Sequence, residues 1–202
     1  MIRIGITGMS GSGKSYVCSI FHTFGIPSIN ADSVVHRLYS ERNGCTEDLA
    51  RIFGNGILQS DHSVDRKALA SIVFSDPSML DILNHTVHPY VIEEIDKLVQ
   101  SAQENGYCAI LIDAPQLFEA GMEQSCDYII AVIADDTFKV SNIMRRDNIT
   151  EEKAQERLSN QHSDSFFMDR SDYTLHNGID ADLQGQIIKI LQDIGLPYER
   201  KE

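Results

Sequence analysis

The stretch Gly8-Met9-Ser10-Gly11-Ser12-Gly13-Lys14-Ser15 decides the fold, because it matches the pattern G-x-x-x-x-G-K-S/T without a substitution. It follows an apolar run, Ile2 to Ile6, that predicts a β-strand, and it precedes apolar residues at helical spacing from Val17 to Phe24. In a strand, loop and helix of this order, backbone N–H groups and the helix dipole surround a polyphosphate. An incidental glycine-rich turn is the alternative, but the flanking strand and helix favour a phosphate-binding loop.

The residues of this loop are expected to have different roles in binding a nucleotide. Lys14 is expected to reach the β- and γ-phosphates, and the Ser15 hydroxyl to ligate Mg²⁺. The expected nucleotide-binding residues of the loop are Gly8, Gly11, Ser12, Gly13, Lys14, Ser15 and Tyr16. The motif leaves open whether water or a substrate group accepts the phosphoryl group. The N-K-x-D element of guanine-specific GTPases does not occur in the sequence, which argues against that class. A small-molecule kinase needs an acceptor pocket, a group near the acceptor oxygen and a basic lid, and the chain has candidates for all three.

Composition limits the partners of the chain. It has 202 residues, 42% of them hydrophobic, enough for one principal domain with inserted subdomains. Seventeen Lys and Arg against thirty Asp and Glu give a net charge of −13, so a broad nucleic-acid-binding surface is not expected. The four cysteines form no C-x-x-C pair, and the sequence shows neither a signal-peptide pattern nor a long apolar run. A cytoplasmic protein that binds no membrane is therefore expected.

Short apolar runs alternate with helical stretches, which is the pattern of a parallel sheet covered by helices, so the predicted class is α/β. The predicted strands are Ile2 to Ile6, Ile26 to Ile29, Ala109 to Ile112, Tyr128 to Ile133 and Tyr173 to His176. Two inserts lie between these strands along the chain. The first shows helical periodicity between Leu69 and Val99, and the second is predicted to be a polar flap of two helices with Thr150 as an N-cap.

Further short motifs follow one another along the chain. They are Phe24-Gly25-Ile26-Pro27, Asn30-Ala31-Asp32, Asp65-Arg66-Lys67-Ala68-Leu69, Val73-Phe74, Leu83-Asn84, His88-Pro89, Asp113-Ala114-Pro115-Gln116-Leu117-Phe118-Glu119, Arg146-Asp147, Arg157-Leu158, Gln161 and Asn177-Gly178. In this ordered set, and over nearly its full length, the sequence resembles the dephospho-CoA kinase family. The phosphate loop is shared by many nucleotide enzymes, whereas the ordered set is far more specific.

The resemblance implies a three-layer P-loop kinase with a five-stranded parallel sheet. Its core would comprise residues 1–31, 106–136 and 170–202, its helical coenzyme-binding insert residues 32–105, and its lid residues 137–169, here called the lid segment. The family transfers the γ-phosphoryl group of ATP to the ribose 3′-hydroxyl of dephospho-CoA, with Mg²⁺. Dephospho-CoA and ATP are thus the expected partners, and a monomer is favoured.

Two carboxylates are expected at the ends of strands, where ligands bind in open parallel sheets. Asp32 is the candidate catalytic base, as the family pattern Asp-Ala-Asp implies, and a helix N-cap is the alternative. Asn30 replaces the first acid of that pattern; its amide can bind a ribose hydroxyl or a metal-bound water but is no useful base. Asp113 is a candidate Mg²⁺ ligand or a turn residue before Pro115.

The remaining candidates come from the two inserts and from the stretch after Asp113. Arg146 and Arg157 are expected to bind ATP phosphates when the lid closes, with surface pairing to nearby Glu as the alternative. Asn142 stands where the family often has another arginine. Phe118 is expected either to contact a purine or to pack in the core, His88 to belong to the coenzyme site, and Arg66 to bind coenzyme phosphate or to be solvated.

Three functions remain open from the residues. The leading one is a dephospho-CoA kinase. A kinase for another nucleoside or small alcohol is suggested by Asn30 and by Gln116, which replaces a residue that is usually apolar in the family. A catalytically silent nucleotide-binding regulator is the third. Four retained residues argue against it, namely Lys14, Ser15, Asp32 and Asp113.

Overall fold

The computed structural model describes residues 1–74 and 76–198. Its strands are β1 (Ile2–Thr7), β2 (Ser28–Asn30), β3 (Ala109–Asp113), β4 (Tyr128–Ala134) and β5 (Tyr173–Asn177). Its helices are α1 (Lys14–Thr23), α2 (Ala31–Tyr39), α3 (Gly44–Phe53), α4 (Arg66–Val73), α5 (Pro77–Glu104), α6 (Asp136–Asp147), α7 (Glu151–Ser159), α8 (Asp164–Met168) and α9 (Leu183–Asp193). Each predicted strand is confirmed, although β2 begins later than its predicted run.

The strands form a five-stranded parallel sheet in the order β2-β3-β1-β4-β5, which confirms the predicted α/β class. In the centre, Ile4 of β1 is paired with Leu111 of β3 and with Tyr128 of β4. Every residue of β3 is buried, as expected for a strand in the middle of a sheet covered on both faces. This order brings the carboxyl ends of β1 and β3 side by side, because Ile6 is paired with Asp113.

The side chains of β4 alternate between the two faces of the sheet, and their neighbours show which helices cover each face. Ile130 and Val132 belong to a cluster with residues of α1 and α9, whereas Ala131 between them packs with residues of α6 and α7. Successive side chains of a strand point to opposite faces. The helix that follows the phosphate loop therefore covers one face, and the lid segment packs on the other.

Two compact units divide the chain, one of Met1–Ile29 with the chain from Ala102 onward and the other of Asn30–Ser101. The second unit is helical. Three of its helices begin at polar caps: the side chains of Asn30, Asn43 and Asp65 accept hydrogen bonds from backbone N–H groups of α2, α3 and α4. Of the described helices, none is long and apolar enough to cross a membrane.

The lid segment contains α7 and nearly all of α6, the two expected helices, followed by the short α8, which was not expected. Thr150 occupies the N-cap position of α7, as predicted, but its side chain makes no capping hydrogen bond. Ile143, Ala154 and Phe167, one from each helix, are buried together against the sheet. This shared core explains why a stretch of low average hydropathy folds onto the sheet.

Candidate active site

The phosphate loop connects β1 to α1 through glycines with positive φ. Gly11 and Gly13 have φ of 79° and 91°, a region that residues with a Cβ rarely adopt. A Cβ on Gly11 would strike the backbone oxygen of Lys139, and one on Gly13 would strike Nδ2 of Asn177. Glycine is thus required at both positions by the backbone conformation and by close neighbours.

Lys14, the first residue of α1, folds back over the loop. Its Nζ donates to the carbonyl oxygens of Gly8 at 2.7 Å and Met9 at 3.0 Å. Ser15 and Tyr16 are exposed on the first turn of the helix. An ammonium group is therefore held across the loop, next to an exposed Ser15.

Two of the N–H groups expected to hold phosphates make hydrogen bonds within the loop. Ser12 N–H donates to Met9 O at 3.3 Å, and Tyr16 N–H donates to Gly13 O at 3.0 Å. The Ser12 hydroxyl is completely buried and has no hydrogen-bond partner among the described residues. Backbone and side chain of Ser12 are thus part of the loop's interior.

Side chains from elsewhere in the first unit bind the loop backbone. Asn142 Nδ2 donates to Gly11 O at 2.8 Å, Gln161 Oε1 accepts from Ser10 N–H at 2.8 Å, and Asn177 Nδ2 donates to Ser12 O at 2.8 Å. Sequence reasoning treated Asn142 only as a missing charge. The structure shows that its amide holds the loop, a role that no local pattern indicates.

Lys139 is a further residue that sequence reasoning missed. Its side chain is 1% exposed, and its Nζ lies 2.8 Å from Asp136 Oδ1, 2.8 Å from Asp164 Oδ2 and 3.2 Å from Met9 Sδ. Burial lowers the pKa of Lys139, but hydrogen bonds with the two aspartates outweigh burial and raise it above its ordinary value. A buried ammonium group therefore joins α6, α8 and the phosphate loop.

The two lid arginines share a single carboxylate. Arg146 donates to both oxygens of Asp147, and Arg157 donates to Oδ2 of the same residue. The alternative expectation for Arg157 was pairing with a Glu, so that expectation named the wrong partner. Hydrogen bonds from Arg146 hold the pKa of the Asp147 carboxyl below its ordinary value. Arg146 Nη2 also donates to Ser10 Oγ at 3.1 Å, which places this arginine at the loop.

Asp113 is buried at the end of β3, 5% exposed, next to the strand that leads into the loop. The pKa of the Cys18 thiol is raised to about 12, mainly by burial and next by the charge of the nearby Asp113, while Lys14 acts to lower it. Among the described residues, no three His, Cys, Asp or Glu side chains form a metal-binding group. Mg²⁺ commonly needs only one or two carboxylates with substrate phosphates, so a hydroxyl and one carboxylate suit it.

A pocket of about 460 Å³ lies beside the loop. Its lining includes Gly8, Gln116, Gln161 and His162. A larger groove, of about 900 Å³, lies between α6 and α7 and contains no residue of the loop. Phe118 packs edge-on against Phe166, with ring centroids 5.8 Å apart, as its alternative interpretation expected.

The other predicted residues lie in the second unit. Asn30 is the N-cap of α2 and accepts from Ser33 N–H at 2.8 Å, so the alternative that made Asp32 the cap is wrong. Asp32 is exposed in the first turn of α2. Arg66 is exposed at the start of α4, and His88 is half-buried in α5. Burial and the nearby His85 lower the pKa of His88.

Comparisons with known proteins agree on one family. A family model described as CoaE, dephospho-CoA kinase, matches residues 2–182. A dephospho-CoA kinase of Lactobacillus johnsonii is 32% identical over 95% of this chain and 98% of its own length. The structure of TT1252 from Thermus thermophilus superposes with a TM-score of 0.79 at 29% identity, covering 96% of this chain and 97% of that one. Dephospho-CoA kinase from Campylobacter jejuni has a TM-score of 0.68 at 26% identity, covering 95% and 96%. Since the family model spans most of the sequence and relatives match nearly end to end, the chain belongs to the dephospho-CoA kinase family.

Proposed function

We propose that the protein transfers the γ-phosphoryl group of ATP to the ribose 3′-hydroxyl of dephospho-CoA, giving CoA and ADP. The observation that carries this proposal is the phosphate loop of a kinase family with Lys14 across it and Arg146 hydrogen-bonded to its Ser10. The proposal includes a cytoplasmic, monomeric enzyme in which residues 32–105 bind the coenzyme and the lid segment closes over ATP.

The loop and the lid segment provide the positive groups that a phosphoryl transfer requires. Lys14 stabilises charge on the β- and γ-phosphates, and Arg146 and Arg157 bind the terminal phosphates from the lid side. ATP is captured by these few groups together with backbone N–H groups, so the acidic remainder of the chain is no obstacle.

Ser15 and Asp113 are the residues that would hold Mg²⁺. The exposed Ser15 hydroxyl and the buried Asp113 carboxylate are oxygen ligands of the kind Mg²⁺ takes together with nucleotide phosphates. When bound, the ion would neutralise charge on the transferring phosphoryl group. The two residues supply the protein ligands, and Lys14 remains the protein's own cation at the phosphates.

Asp32 is the proposed base that orients the acceptor hydroxyl and takes its proton. Asn30 is proposed to bind a ribose hydroxyl besides capping α2, and His88, Arg66 and Phe118 are the proposed coenzyme contacts. Asp32 is exposed in the first turn of its helix, so its carboxylate is accessible to a substrate.

A panel assay tests the reaction. The purified chain, ATP and Mg²⁺ are incubated with dephospho-CoA and, separately, with adenosine, AMP and shikimate, and ADP release is measured. We expect turnover with dephospho-CoA. Turnover of another acceptor alone would favour the kinase for a different alcohol, and nucleotide binding without any turnover would favour the regulator.

Substitution of Asp32 tests the base. We expect Asp32→Asn to lower kcat by about a hundredfold or more, as for loss of a general base, with ATP affinity retained. Asn30→Asp is the matched control, because aspartate caps a helix as well as asparagine does, and we expect it to be tolerated. A parental rate in Asp32→Asn would refute the assignment.

A further inference from the structure

Asp147 is the residue that brings the two lid arginines together. Arg146 binds it in a bidentate manner, Nε to Oδ1 at 2.8 Å and Nη2 to Oδ2 at 2.9 Å, while Arg157 Nη1 donates to Oδ2. Bidentate pairing of this kind fixes the plane of the guanidinium group as well as its position. Two cations thus share one anion, and the cluster retains net positive charge.

The cluster of Arg146, Asp147 and Arg157 lies next to the phosphate loop. Asp147 is the last residue of α6, Arg157 lies on α7, and Arg146 Nη2 also donates to Ser10 Oγ in the phosphate loop. Gln161 lies one turn beyond Arg157 and donates to its carbonyl oxygen, while its own Oε1 accepts from Ser10 N–H. The carboxylate therefore connects the ends of two lid helices at the point where they contact the loop.

The exposure of the arginines explains why they need such a partner. Their side chains are 57% and 49% exposed, so neither is held by packing alone. Two neighbouring guanidinium groups repel each other, and long exposed side chains lose substantial rotamer entropy when they are ordered. Each guanidinium has five N–H donors, so both can donate to phosphate oxygens while they remain bound to Asp147.

We propose that Asp147 is a positioning residue that holds Arg146 and Arg157 in the arrangement that binds the terminal phosphates of ATP. The proposal deepens the proposed function and rests on it for the identity of the nucleotide. Its physical basis is preorganisation. The carboxylate orders the two arginines before ATP binds, so less side-chain entropy is lost on binding and in the transition state.

The opposite role makes the opposite prediction. If the carboxylate only occupied the arginines until phosphate displaced it, its removal would free them and would strengthen ATP binding. If it positions them, its removal weakens ATP binding even though the site becomes more positive. The sign of the change in ATP affinity therefore distinguishes the two roles.

The test compares Asp147→Asn with the parent chain and with Glu156→Gln. The control removes one negative charge from an exposed position next to Arg157, so it reproduces the change in net charge without touching the cluster. Dissociation constants for ATP and for adenosine are measured by calorimetry, and kcat and KM are measured with dephospho-CoA. Asp147→Glu, which keeps the charge on a longer side chain, is the conservative variant.

We expect Asp147→Asn to lower kcat/KM for ATP about tenfold to a hundredfold, the scale of a small misplacement of binding groups. Adenosine affinity and the melting temperature should stay near the parental values, Glu156→Gln should behave as the parent, and Asp147→Glu should recover part of the loss. Tighter ATP binding by Asp147→Asn, or values equal to those of Glu156→Gln, would overturn the proposal. So would an equal loss of ATP and adenosine binding, since that indicates a purely structural role.

The same measurements separate this inference from the proposed function. If the parent chain fails to phosphorylate dephospho-CoA, the proposed function fails. The positioning role is still decided by calorimetry with ATP and adenosine, which requires no acceptor.

Discussion

The phosphate loop and the lid segment contact each other, but different interactions order them. The loop has hydrogen bonds of its own: Ser12 N–H donates to Met9 O, and Lys14 Nζ donates to Gly8 O six positions earlier. The lid segment is held to the loop by side chains distant in sequence. Asn142 and Gln161 bind loop residues 131 and 151 positions away.

The difference teaches how much each region depends on the rest of the molecule. Positive φ at glycines and a helix that begins at Lys14 give the loop its shape from local residues. The lid segment contacts the loop through a buried cation, Lys139, and through side-chain amides. These groups lie within hydrogen-bonding distance of the loop only when the sheet has formed. We therefore expect the lid segment to lose its contacts with the loop more easily than the loop loses its own shape.

Removal of the loop lysine should give the largest effect on catalysis. We expect Lys14→Met to lower kcat by about a thousandfold, the cost of losing a group that stabilises charge in the transition state. Lys189→Met is the control, since it removes the same charge from an exposed position on α9. A variant within tenfold of the parent would mean that the lid arginines, rather than the loop, dominate the electrostatic stabilisation.

Removal of the buried lid cation should give the largest effect on stability. Lys139→Met leaves Asp164 and Asp136 without their cation, and we expect a loss of about 3 kcal/mol in the free energy of unfolding. The estimate is at the low end for a buried pair because Asp136 is 82% exposed. Urea denaturation at neutral pH measures it.

Lys97→Met is the matched control for this prediction. Lys97 is 61% exposed and lies 2.8 Å from Glu93, so its loss should leave the free energy of unfolding close to that of the parent. Because the folded-state pKa of Lys139 is raised, its contribution is complete below the ordinary lysine value and is lost as pH rises through the folded value. Equal stability of the two variants at neutral pH would contradict the assigned role of Lys139.

A glycine pair, whose shared backbone strain is the smallest of the expected effects, measures how tightly the lid constrains the loop. Gly11 and Gly106 have φ of 79° and 83°, so alanine at either position should cost about 1 kcal/mol in backbone strain. Alanine at Gly11 also meets the Lys139 backbone oxygen, whereas nothing lies within 4 Å of a Cβ on Gly106. We expect Gly11→Ala alone to weaken ATP binding and to lower the melting temperature further. If the two variants were equivalent, the lid backbone would not restrict the loop.

Much of the fold could be predicted because its signals are local. Apolar runs such as Ala109 to Ile112 are buried on both faces, and helical periodicity between Leu69 and Val99 corresponds to α4 and α5. The short α8 was missed because five residues, Asp164–Met168, are too few to show a helical period. Spacing alone does not choose between Asn30 and Asp32 as the cap of α2, because Asn and Asp are nearly equivalent as N-caps.

The sequence by itself determined the phosphate loop, the α/β class and the family of this protein, because these depend on residue types at short spacings and on their order along the chain. Only the tertiary structure decided that Asn142 holds Gly11, that Lys139 is buried with two aspartates and that Asp147 joins Arg146 to Arg157. Such contacts require elements far apart in the chain to pack on one sheet, and no local pattern states which polar groups will then be within hydrogen-bonding distance.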